Sequence, residues 1–314
     1  MARLRPLRLV RGTHVVPSEL RGAIVTVGAF DGMHLGHRAL IDRTVEWARA
    51  DGRAALMLTF EPMPREFLQP DSPPARLTNF RERWRLLEST GLDALVLLRF
   101  DRHLRELRGA QFLTRLTDEL AVGGMVVGHD FRFGRSGEAD TAFLREAGAA
   151  RGVPVEVIDP VGVGAGRISS SGVREALVAD DFARAAQLLG RPYAMRGRVA
   201  RGQQLGRTLG FPTANIRLRR RRLPLGGIYA VRVHGIGEAA FGGVASLGTR
   251  PTVGGVEPLL ETFVFDFSGD LYGRELEIEF VARLRDERRF ESVELMVVQM
   301  QVDARLAREW VKTK

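Results

Sequence analysis

Two histidines three residues apart stand in a glycine-containing segment near the start of the chain. His34 and His37 belong to the run 28–37, GAFDGMHLGH. Residues three apart share one face at the start of a helix, so both imidazoles could point at one phosphate and stabilise charge that develops on phosphorus during nucleotidyl transfer. The glycines would let the backbone approach that phosphate closely, and the amides of the following helix would bind the anion. A lone histidine is more often a core residue, whereas this pair favours a phosphate site.

Two later segments offer groups that suit the same kind of site. The run 128–134, GHDFRFG, places Asp130 beside Phe131, whose ring could stack on a planar group. The run 168–174, ISSSGVR, places hydroxyls at a helix start and an arginine in its first turn, which is a phosphate-binding arrangement. Taken alone, the first run could be a buried aromatic strand end, and the second could be an ordinary serine N-cap.

A second glycine-rich segment with polar side chains stands in the C-terminal half. The run 206–215, GRTLGFPTAN, places Thr213 and Asn215 on one face of an extended segment. Hydroxyl and amide oxygens are hard ligands of the kind that Mg²⁺ prefers. The glycines would allow a tight loop around phosphates, although a run of this composition alone is more often a structural turn.

The elements that must position the first three runs alternate in type. Apolar stretches of strand length alternate with amphipathic segments of helical period between about residues 23 and 160, which predicts a parallel sheet with crossover helices. Ligands bind at the carboxyl ends of such strands, so we expect the three runs at one edge of the sheet. A further helix is predicted from Asn79, with Glu82 completing the cap, to Gly91. The predicted strands are 23–28, 54–60, 94–100, 124–128 and 153–158.

The pattern changes after a helical stretch over 172–189. Short β-type runs separated by glycines and prolines follow, and they predict a small antiparallel barrel or sandwich. A long helix over 292–310 closes this part. With 314 residues, the chain is long enough for two domains of about 150 residues, and we place them at 1–190 and 191–314.

Composition limits the chemistry and the partners. The absence of cysteine excludes disulfides, thiolate metal sites and cysteine nucleophiles. Almost all of the positively charged side chains are arginines, which indicates a coding bias. The net charge of +9 therefore only weakly favours a polyanion partner. The arginine-rich run 217–222 lacks neighbouring aromatic residues, so we interpret it as a solvated loop and not as a nucleic-acid patch. No signal peptide or apolar window of about 20 residues is present, which predicts a cytoplasmic protein.

Taken in order, the N-terminal runs resemble the adenylyltransferase module of bacterial bifunctional riboflavin kinase/FAD synthetases, a branch of the HxGH nucleotidyltransferases. The order is GAFDGMHLGH, then TFEPMPREF at 59–67, then GHDFRFG, then ISSSGVR. The resemblance implies a Rossmann-like domain that transfers AMP from MgATP to the phosphate of FMN without a covalent enzyme intermediate. The family often has asparagine at Ala29, histidine at Met63 and threonine at Ser171, so the first two departures lose polar groups near the expected site.

The same resemblance implies roles for individual residues. His34 and His37 would contact the ATP phosphates and the transition state, and Asp130 and Phe131 would lie near the flavin or the nucleotide. The further ATP- and phosphate-binding residues it implies are Gly28, Phe30, Asp31, Gly36, Ser169, Ser170 and Arg174.

The run GRTLGFPTAN resembles the signature of riboflavin kinases, a fold unrelated to the P-loop kinases. The runs GIYAV at 227–231, GTRPT at 248–252 and LET at 260–262 support that likeness. It implies a small β-barrel in which Glu261 is the general base that takes the proton of the ribityl 5′-hydroxyl. The metal- and ATP-binding residues implied are Thr213 and Asn215 for Mg²⁺, and Gly202, Gly206, Arg207 and Gly210 for the phosphates.

A charged segment before the last predicted helix completes the expected flavin site. The segment 283–290, which contains Arg285 and Phe290, resembles the family's loop that closes over the flavin. An ordinary charged connection has the same composition, so this interpretation stays open.

The sequence therefore predicts an enzyme that phosphorylates riboflavin to FMN and adenylylates FMN to FAD with release of pyrophosphate. Both steps would use MgATP, without a nucleic-acid or membrane partner, in a monomer or weak homo-oligomer. One alternative is a riboflavin kinase whose N-terminal domain is inactive or acts on another nucleotidyl acceptor. Another is an arginine-rich nucleic-acid-binding protein built on a decayed enzyme fold.

Overall fold

A computed structural model describes residues 6–163, 166–201, 209–252 and 255–312. The chain divides into two compact units, which are described separately. Unit 1 consists of Met1–Pro74 and Arg83–Ser169, and unit 2 consists of Ala75–Glu82 and Ser170–Lys314.

Unit 1 is built on a parallel sheet. Its strands are β1 (Arg8–Arg11), β2 (Ile24–Val27), β3 (Ala55–Glu61), β4 (Ala94–Arg99), β5 (Gly124–Gly128) and β6 (Val155–Ile158). They lie in the order β1-β4-β3-β2-β5-β6, and each neighbouring pair is parallel. All four residues of β2 are buried, as expected for a strand with both faces covered. The predicted parallel sheet is confirmed, and β1 is an additional edge strand.

Helices and a short hairpin connect and follow these strands. The hairpin lies at the C-terminal end of the unit. The helices are α1 (Leu35–Ala50), α2 (Pro64–Leu68), α3 (Phe80–Leu87), α4 (Arg102–Glu106), α5 (Gly109–Thr114) and α6 (Thr141–Ala149), and the hairpin strands are β7 (Gly162–Val163) and β8 (Gly166–Arg167). The first three residues of α3 belong to unit 2.

The predicted cap of α3 is confirmed, but its predicted end is wrong. The Asn79 side chain accepts a hydrogen bond from the Glu82 amide at 3.0 Å, and the Glu82 carboxylate accepts one from the Asn79 amide at 2.7 Å. The helix ends at Leu87 and not at Gly91. The hydroxyl and the amide of Thr90 both donate to the Leu87 carbonyl, which closes the last turn before the glycine is reached.

The described residues of unit 2 form a closed barrel, and three helices lie wholly within that described part. The two helices that precede the barrel are α7 (Ser170–Val178) and α8 (Phe182–Leu189), and α9 (Val293–Lys312) follows it. The strands are β9 (Ala194–Ala200), β10 (Thr213–Arg217), β11 (Gly227–His234), β12 (Phe241–Thr252), β13 (Gly255–Val264) and β14 (Glu275–Arg285). They close in the order β10-β13-β12-β11-β14-β9, with every neighbouring pair antiparallel. The barrel alternative, not the sandwich, is therefore correct.

The predicted helical stretch over 172–189 is interrupted. Asp180 has a φ of 56°, which breaks the helical path between α7 and α8. Asp181 then caps α8, because its side chain accepts a hydrogen bond from the Arg184 amide at 2.8 Å.

One arginine of the run 217–222 is buried, so the interpretation of the whole run as a solvated loop is wrong. Arg220 forms an ion pair with Glu82, and its Nη1 donates to the Tyr193 hydroxyl at 3.1 Å. The Glu82 carboxylate also accepts from the Arg196 amide at 2.7 Å. A buried guanidinium is stable only where such partners satisfy it.

The last helix packs on the barrel through a small apolar cluster. Ala307 of α9 is buried with Ala230, Phe265 and Ala282. None of the helices among the described residues is long and apolar enough to cross a membrane.

Candidate active sites

The histidine loop of unit 1 joins the carboxyl end of β2 to the start of α1. Three of its residues, Phe30, Gly32 and Met33, have φ angles of 51°, 84° and 48°. Two of these residues carry side chains, for which the left-handed region costs on the order of 1 kcal/mol or more each. Such strain is concentrated at sites where the backbone must follow one specific path, which is consistent with a ligand-binding loop.

The two predicted histidines are in contact. His34 is the N-cap of α1, and its Nδ1 accepts a hydrogen bond from the His37 amide at 3.2 Å. The rings stack with centroids 3.6 Å apart and planes 16° apart. A Cβ atom on Gly36 would lie 3.2 Å from the His34 ring, so a glycine between the histidines permits this close packing. The structure therefore places both imidazoles at one point on the sheet edge.

His37 is held in its neutral form. Burial of the ring lowers its pKa well below the usual value of 6.5, and the neighbouring His34 and the positively charged Arg83 lower it further. Its Nδ1 is buried and has no hydrogen-bond partner among the described residues. A neutral imidazole with an unsatisfied nitrogen can accept or donate a hydrogen bond to a bound ligand, depending on its tautomer.

Arg83 of α3 is a further residue of this site, which the sequence interpretation missed. Its side chain is 1% exposed, and its Nη1 donates to the Ala29 carbonyl at 2.8 Å. The same guanidinium forms an ion pair with Glu61 at 2.8 Å and contacts the Thr59 hydroxyl at 3.3 Å. Arg83 thus ties the histidine loop to β3. The only indication in the sequence is that this arginine stands four residues before Leu87, on the apolar face of the helix.

Other predicted residues of the histidine loop are buried within it. Phe30 and Asp31 are buried, and the Phe30 ring lies 5.1 Å from the His37 ring. A Cβ atom on Gly28 would lie 3.1 Å from the Phe30 ring, so this glycine lets the ring fold back over the end of β2. The packing of these residues therefore helps to fix the path of the loop.

The two predicted residues of the run 128–134 both have contacts within unit 1. Asp130 is exposed and forms an ion pair with Arg167 of β8. The Phe131 ring stacks on Phe133 at 5.4 Å and packs against the core of the sheet. The carboxylate is therefore already partnered, and the ring is used at least in part for packing.

The run 168–174 crosses from one unit to the other. In unit 1, the Ile168 carbonyl lies 3.9 Å from a Cβ atom built on Gly36, so the run begins beside the histidine loop, with Ser169 as the next residue. In unit 2, Ser170 is the first residue of α7, and Arg174 donates from Nε to the Ala75 carbonyl at 2.6 Å.

The predicted kinase residues form a row across the barrel wall of unit 2. Asn215 of β10 stands opposite Glu261 of β13, and Glu261 stands opposite Ser246 of β12. Residues that face one another in adjacent strands have Cβ atoms about 5 Å apart. Thr213 precedes Asn215 by two residues on the same face, because the intervening Ala214 is buried. The row therefore brings a carboxylate, an amide and two hydroxyls together.

A pocket of about 240 Å³ opens beside this row. Thr213, Glu261, Arg285 and Phe290 all line it, so four of the predicted residues share one cavity. Thr213 also lines a second pocket of about 470 Å³, whose wall includes the segment 268–272. Gly210 has a φ of 81°, which only a glycine adopts easily. Gly202, Gly206 and Arg207 lie outside the described residues.

The segment 283–290 is tied to α9. Arg285 forms a two-pronged ion pair with Asp303, with Nε 3.0 Å from Oδ1 and Nη2 2.7 Å from Oδ2. Asp303 is buried, and Gln299 also donates to it at 2.8 Å. The guanidinium of Arg285 lies 5.8 Å from the Phe290 ring. Arg285 therefore anchors the wall of the pocket.

Glu287 is a further carboxylate of this pocket, in addition to Glu261 and Asp303, and the sequence interpretation missed it. The Ser246 hydroxyl donates to Glu287 at 3.0 Å, and Glu287 lines the pocket with Glu261. A Cβ atom on Gly248 would lie 2.3 Å from the Glu287 carboxylate. Gly248 is thus required for the carboxylate to lie against β12, which gives a physical reason for the glycine of the GTRPT run.

Comparisons with known proteins match both halves of the chain. A family model described as FAD synthetase matches residues 16–172, and one described as riboflavin kinase matches residues 189–311. The bifunctional riboflavin kinase/FMN adenylyltransferase of Escherichia coli (strain K12) is 42% identical over 306 residues, which cover 97% of this chain and 98% of that protein. The protein of the same description from Pseudomonas fluorescens is 44% identical over 304 residues, covering 96% and 97% of the two chains. A crystal structure titled as a macrolide-efflux protein from Streptococcus pneumoniae has a TM-score of 0.81 at 30% identity, covering 97% of this chain and 100% of that one.

Proposed function

Because the chain belongs to the family of bifunctional riboflavin kinases/FMN adenylyltransferases, we propose that it makes FAD from riboflavin in two ATP-dependent steps. The kinase step takes place within 191–314 and the adenylyltransferase step within 1–190. The observation that carries this proposal is the presence of one separate constellation in each half, the stacked histidine pair and the Glu261 row. The macrolide efflux named for the neighbouring structure is not proposed here, because the family models and the curated relatives agree on flavin chemistry.

In the first step, Glu261 removes the proton from the terminal ribityl hydroxyl of riboflavin as that oxygen attacks the γ-phosphorus of ATP, the bond from this phosphorus to the β–γ bridging oxygen breaks, and ADP leaves. A carboxylate suits this task because phosphoryl transfer depends mainly on positioning and on neutralisation of charge. The pocket beside Glu261 receives the flavin, with Phe290 and the anchored Arg285 as part of its wall. Glu287 orients Ser246 at the rim of the same pocket.

Thr213 and Asn215 fit a magnesium ion that arrives with ATP. Their oxygen-bearing side chains share one face of β10 next to Glu261, and such hard oxygens are the donors that Mg²⁺ accepts. No group of three or more histidine, cysteine or acidic side chains that could hold a metal occurs in the described part of the chain, so most ligands would come from phosphates and water. When bound, the ion neutralises charge on the transferring phosphate. We expect Gly202, Gly206, Arg207 and Gly210 to hold the same phosphates.

In the second step, the phosphate of FMN attacks the α-phosphorus of ATP, the new P–O bond forms, and pyrophosphate leaves. His34 and His37 stabilise the charge that develops at this phosphorus, and the neutral state of His37 suits a hydrogen bond to a phosphate oxygen. The loop brings Gly28, Phe30, Asp31 and Gly36 around the nucleotide. Ser169, Ser170 and Arg174 bind the triphosphate, and Asp130 and Phe131 lie near the flavin or the nucleotide in this proposal.

The decisive experiment supplies the purified protein with riboflavin, ATP and magnesium and identifies the flavins by chromatography and mass. We expect FAD to accumulate. The variant His37→Asn should stop at FMN, whereas Glu261→Gln should form no FMN but should still convert supplied FMN to FAD. Accumulation of FMN alone in the unmodified protein would favour the alternative of a kinase with an inactive or redirected first domain.

The proposal also includes the setting of the enzyme. We expect it to work in the cytoplasm without a nucleic-acid or membrane partner, as a monomer or weak homo-oligomer. Sedimentation analysis at assay concentration tests the last point, because a stable higher oligomer would contradict it.

A further inference from the structure

An arginine-lined pocket lies in unit 2 in addition to the two pockets that Thr213 lines. Its volume is about 350 Å³, and six arginines but only two carboxylates line it. The carboxylates are Glu82 and Glu275. The arginines are Arg81, Arg196, Arg198, Arg201, Arg217 and Arg219.

The carboxylates do not cancel this charge. The Glu82 carboxylate is fully engaged by Arg220 and by two backbone amides. Arg196 has its own partner in Glu277, which does not line the pocket. Glu275 stands opposite Arg198 across the β14–β9 pair, so it offsets one arginine. An excess of positive charge is left facing the cavity.

Two of the arginines oppose each other directly across the barrel wall. Arg198 of β9 and Arg217 of β10 are register partners, and like charges in that position destabilise a sheet. The Arg198 Nη1 donates to the Gly273 carbonyl at 2.9 Å, a neutral acceptor that leaves the charge in place. An anion between these side chains would convert the repulsion into two charge-assisted contacts.

Arg217 and two further arginines have side-chain donors available for such an anion. The side chains of Arg81, Arg217 and Arg219 form no hydrogen bond and no ion pair with another residue of the described ranges. Arg81 belongs to α3, whereas Arg219 follows β10, so the donors converge from different elements. Converging guanidinium donors of this kind can bind more than one phosphate group.

We propose that this pocket binds a small compound with two or more linked phosphates, such as inorganic pyrophosphate or the polyphosphate chain of a nucleotide. The pocket is concave, and none of the described residues that line it is aromatic, so it offers charge without a platform for base stacking. That lining favours a compact polyphosphate over single-stranded nucleic acid. The site is separate from the residues to which the two reactions are assigned above, so its existence does not depend on that assignment.

The test uses the full chain and inorganic pyrophosphate in magnesium-free buffer, with binding followed by titration calorimetry. The variant Arg217→Gln/Arg219→Gln removes two donors, and Arg102→Gln/Arg145→Gln removes two exposed arginines of unit 1 as a charge-matched control. We expect a pyrophosphate site that the first variant weakens at least about tenfold, since hydrogen bonds to charged groups are among the stronger ones. The control should bind as the unmodified protein does, and kinase and adenylyltransferase rates at saturating ATP should be unchanged in both variants.

Three results would overturn the proposal: identical isotherms for all proteins, equal weakening in both double variants, or binding of an RNA oligomer without binding of pyrophosphate. If the double variant does not fold, as judged by its melting curve, the single variant Arg81→Gln takes its place, and weaker pyrophosphate binding is again the expected result. ATP titrated in parallel identifies the source of the phosphates. If the double variant binds both ligands more weakly, the pocket accepts nucleotides as well as pyrophosphate. If it binds only pyrophosphate more weakly, the pocket is specific for the inorganic ion. Either result supports the site.

Discussion

Replacement of Arg83 by methionine tests whether this buried arginine positions the histidine loop. Methionine keeps much of the length of the side chain but removes its donors to the Ala29 carbonyl, to Glu61 and to Thr59. Because Arg83 is 1% exposed, water cannot readily replace these donors at the loop. The Ala29 carbonyl is then left without its strongest contact to α3.

The magnitude follows from the three contacts. Hydrogen bonds that involve a charged group contribute about 1.5–3 kcal/mol each, and the longer contact to Thr59 contributes less. The Glu61 side chain is 31% exposed, so water compensates part of its loss. We therefore expect the free energy of unfolding of unit 1 to fall by about 3 kcal/mol. A loop shift of about 1 Å would lower kcat/KM for FAD synthesis by about 100-fold.

The assay follows conversion of FMN to FAD with MgATP, beside conversion of riboflavin to FMN by the same preparation. FAD synthesis should fall in Arg83→Met, with the kinase rate retained. The variant Arg83→Lys keeps a charge but not the fork of donors, so it should be intermediate. Arg102→Met, which replaces an exposed arginine of α4 in the same unit, is the matched control and should stay within about 0.5 kcal/mol of the unmodified protein.

Unaltered FAD synthesis in Arg83→Met, together with a lower urea midpoint, would refute the positioning role and leave Arg83 a purely structural residue. An equal fall in both activities would also refute it, because it would indicate general unfolding. Since two compact units need not unfold together, each midpoint is assigned by the activity that it abolishes.

Three further predictions concern other residues. The pKa of His37 in the folded protein lies below its unfolded value of about 6.5, so the folded state binds fewer protons. The free energy of unfolding should therefore fall as the pH drops below about 7, by up to about 1.4 kcal/mol per pH unit. Urea titrations should give a flatter pH dependence for His37→Asn, and an unchanged slope would contradict this. Arg220→Met leaves Glu82 buried without its partner and should lower the free energy of unfolding by about 3–5 kcal/mol, as measured from denaturation midpoints. Adding Glu82→Gln should recover part of that loss, and no recovery would argue against the ion pair. Gly248→Ala displaces the Glu287 carboxylate and should raise the KM for riboflavin about tenfold without changing FAD synthesis from supplied FMN, whereas an unchanged KM would show that this carboxylate does not shape the pocket.

Local patterns in the sequence predicted the parts of the fold that depend on local physics. The alternation of apolar stretches and helical periods predicted the parallel sheet, and the pair Asn79 and Glu82 predicted the start of α3. The contact between His34 and His37 was predictable because side chains three residues apart at the start of a helix lie on one face. The individual strands, the helix cap and the histidine contact are each decided within a few residues of chain.

The missed side-chain contacts all depend on partners distant in sequence. Arg83 contacts Ala29, which stands 54 residues away, and Arg220 contacts Glu82 across 138 residues. Composition and periodicity indicate that an arginine is present but not which carboxylate or carbonyl it will meet. The same reason explains Glu287, since only the closed barrel brings it against Ser246.

The backbone contact of Arg83 also changes how the departure at Ala29 should be judged. The sequence comparison with the family treated the alanine as the loss of a polar side chain close to the nucleotide. In the structure, residue 29 is held through its carbonyl oxygen, and every amino acid provides that atom. Met63 is buried at the start of α2, where its amide donates to Glu66, so that position too is fixed through the backbone. The loop geometry that adenylyl transfer requires can therefore persist with both departures present, and the first domain is expected to be active for this physical reason.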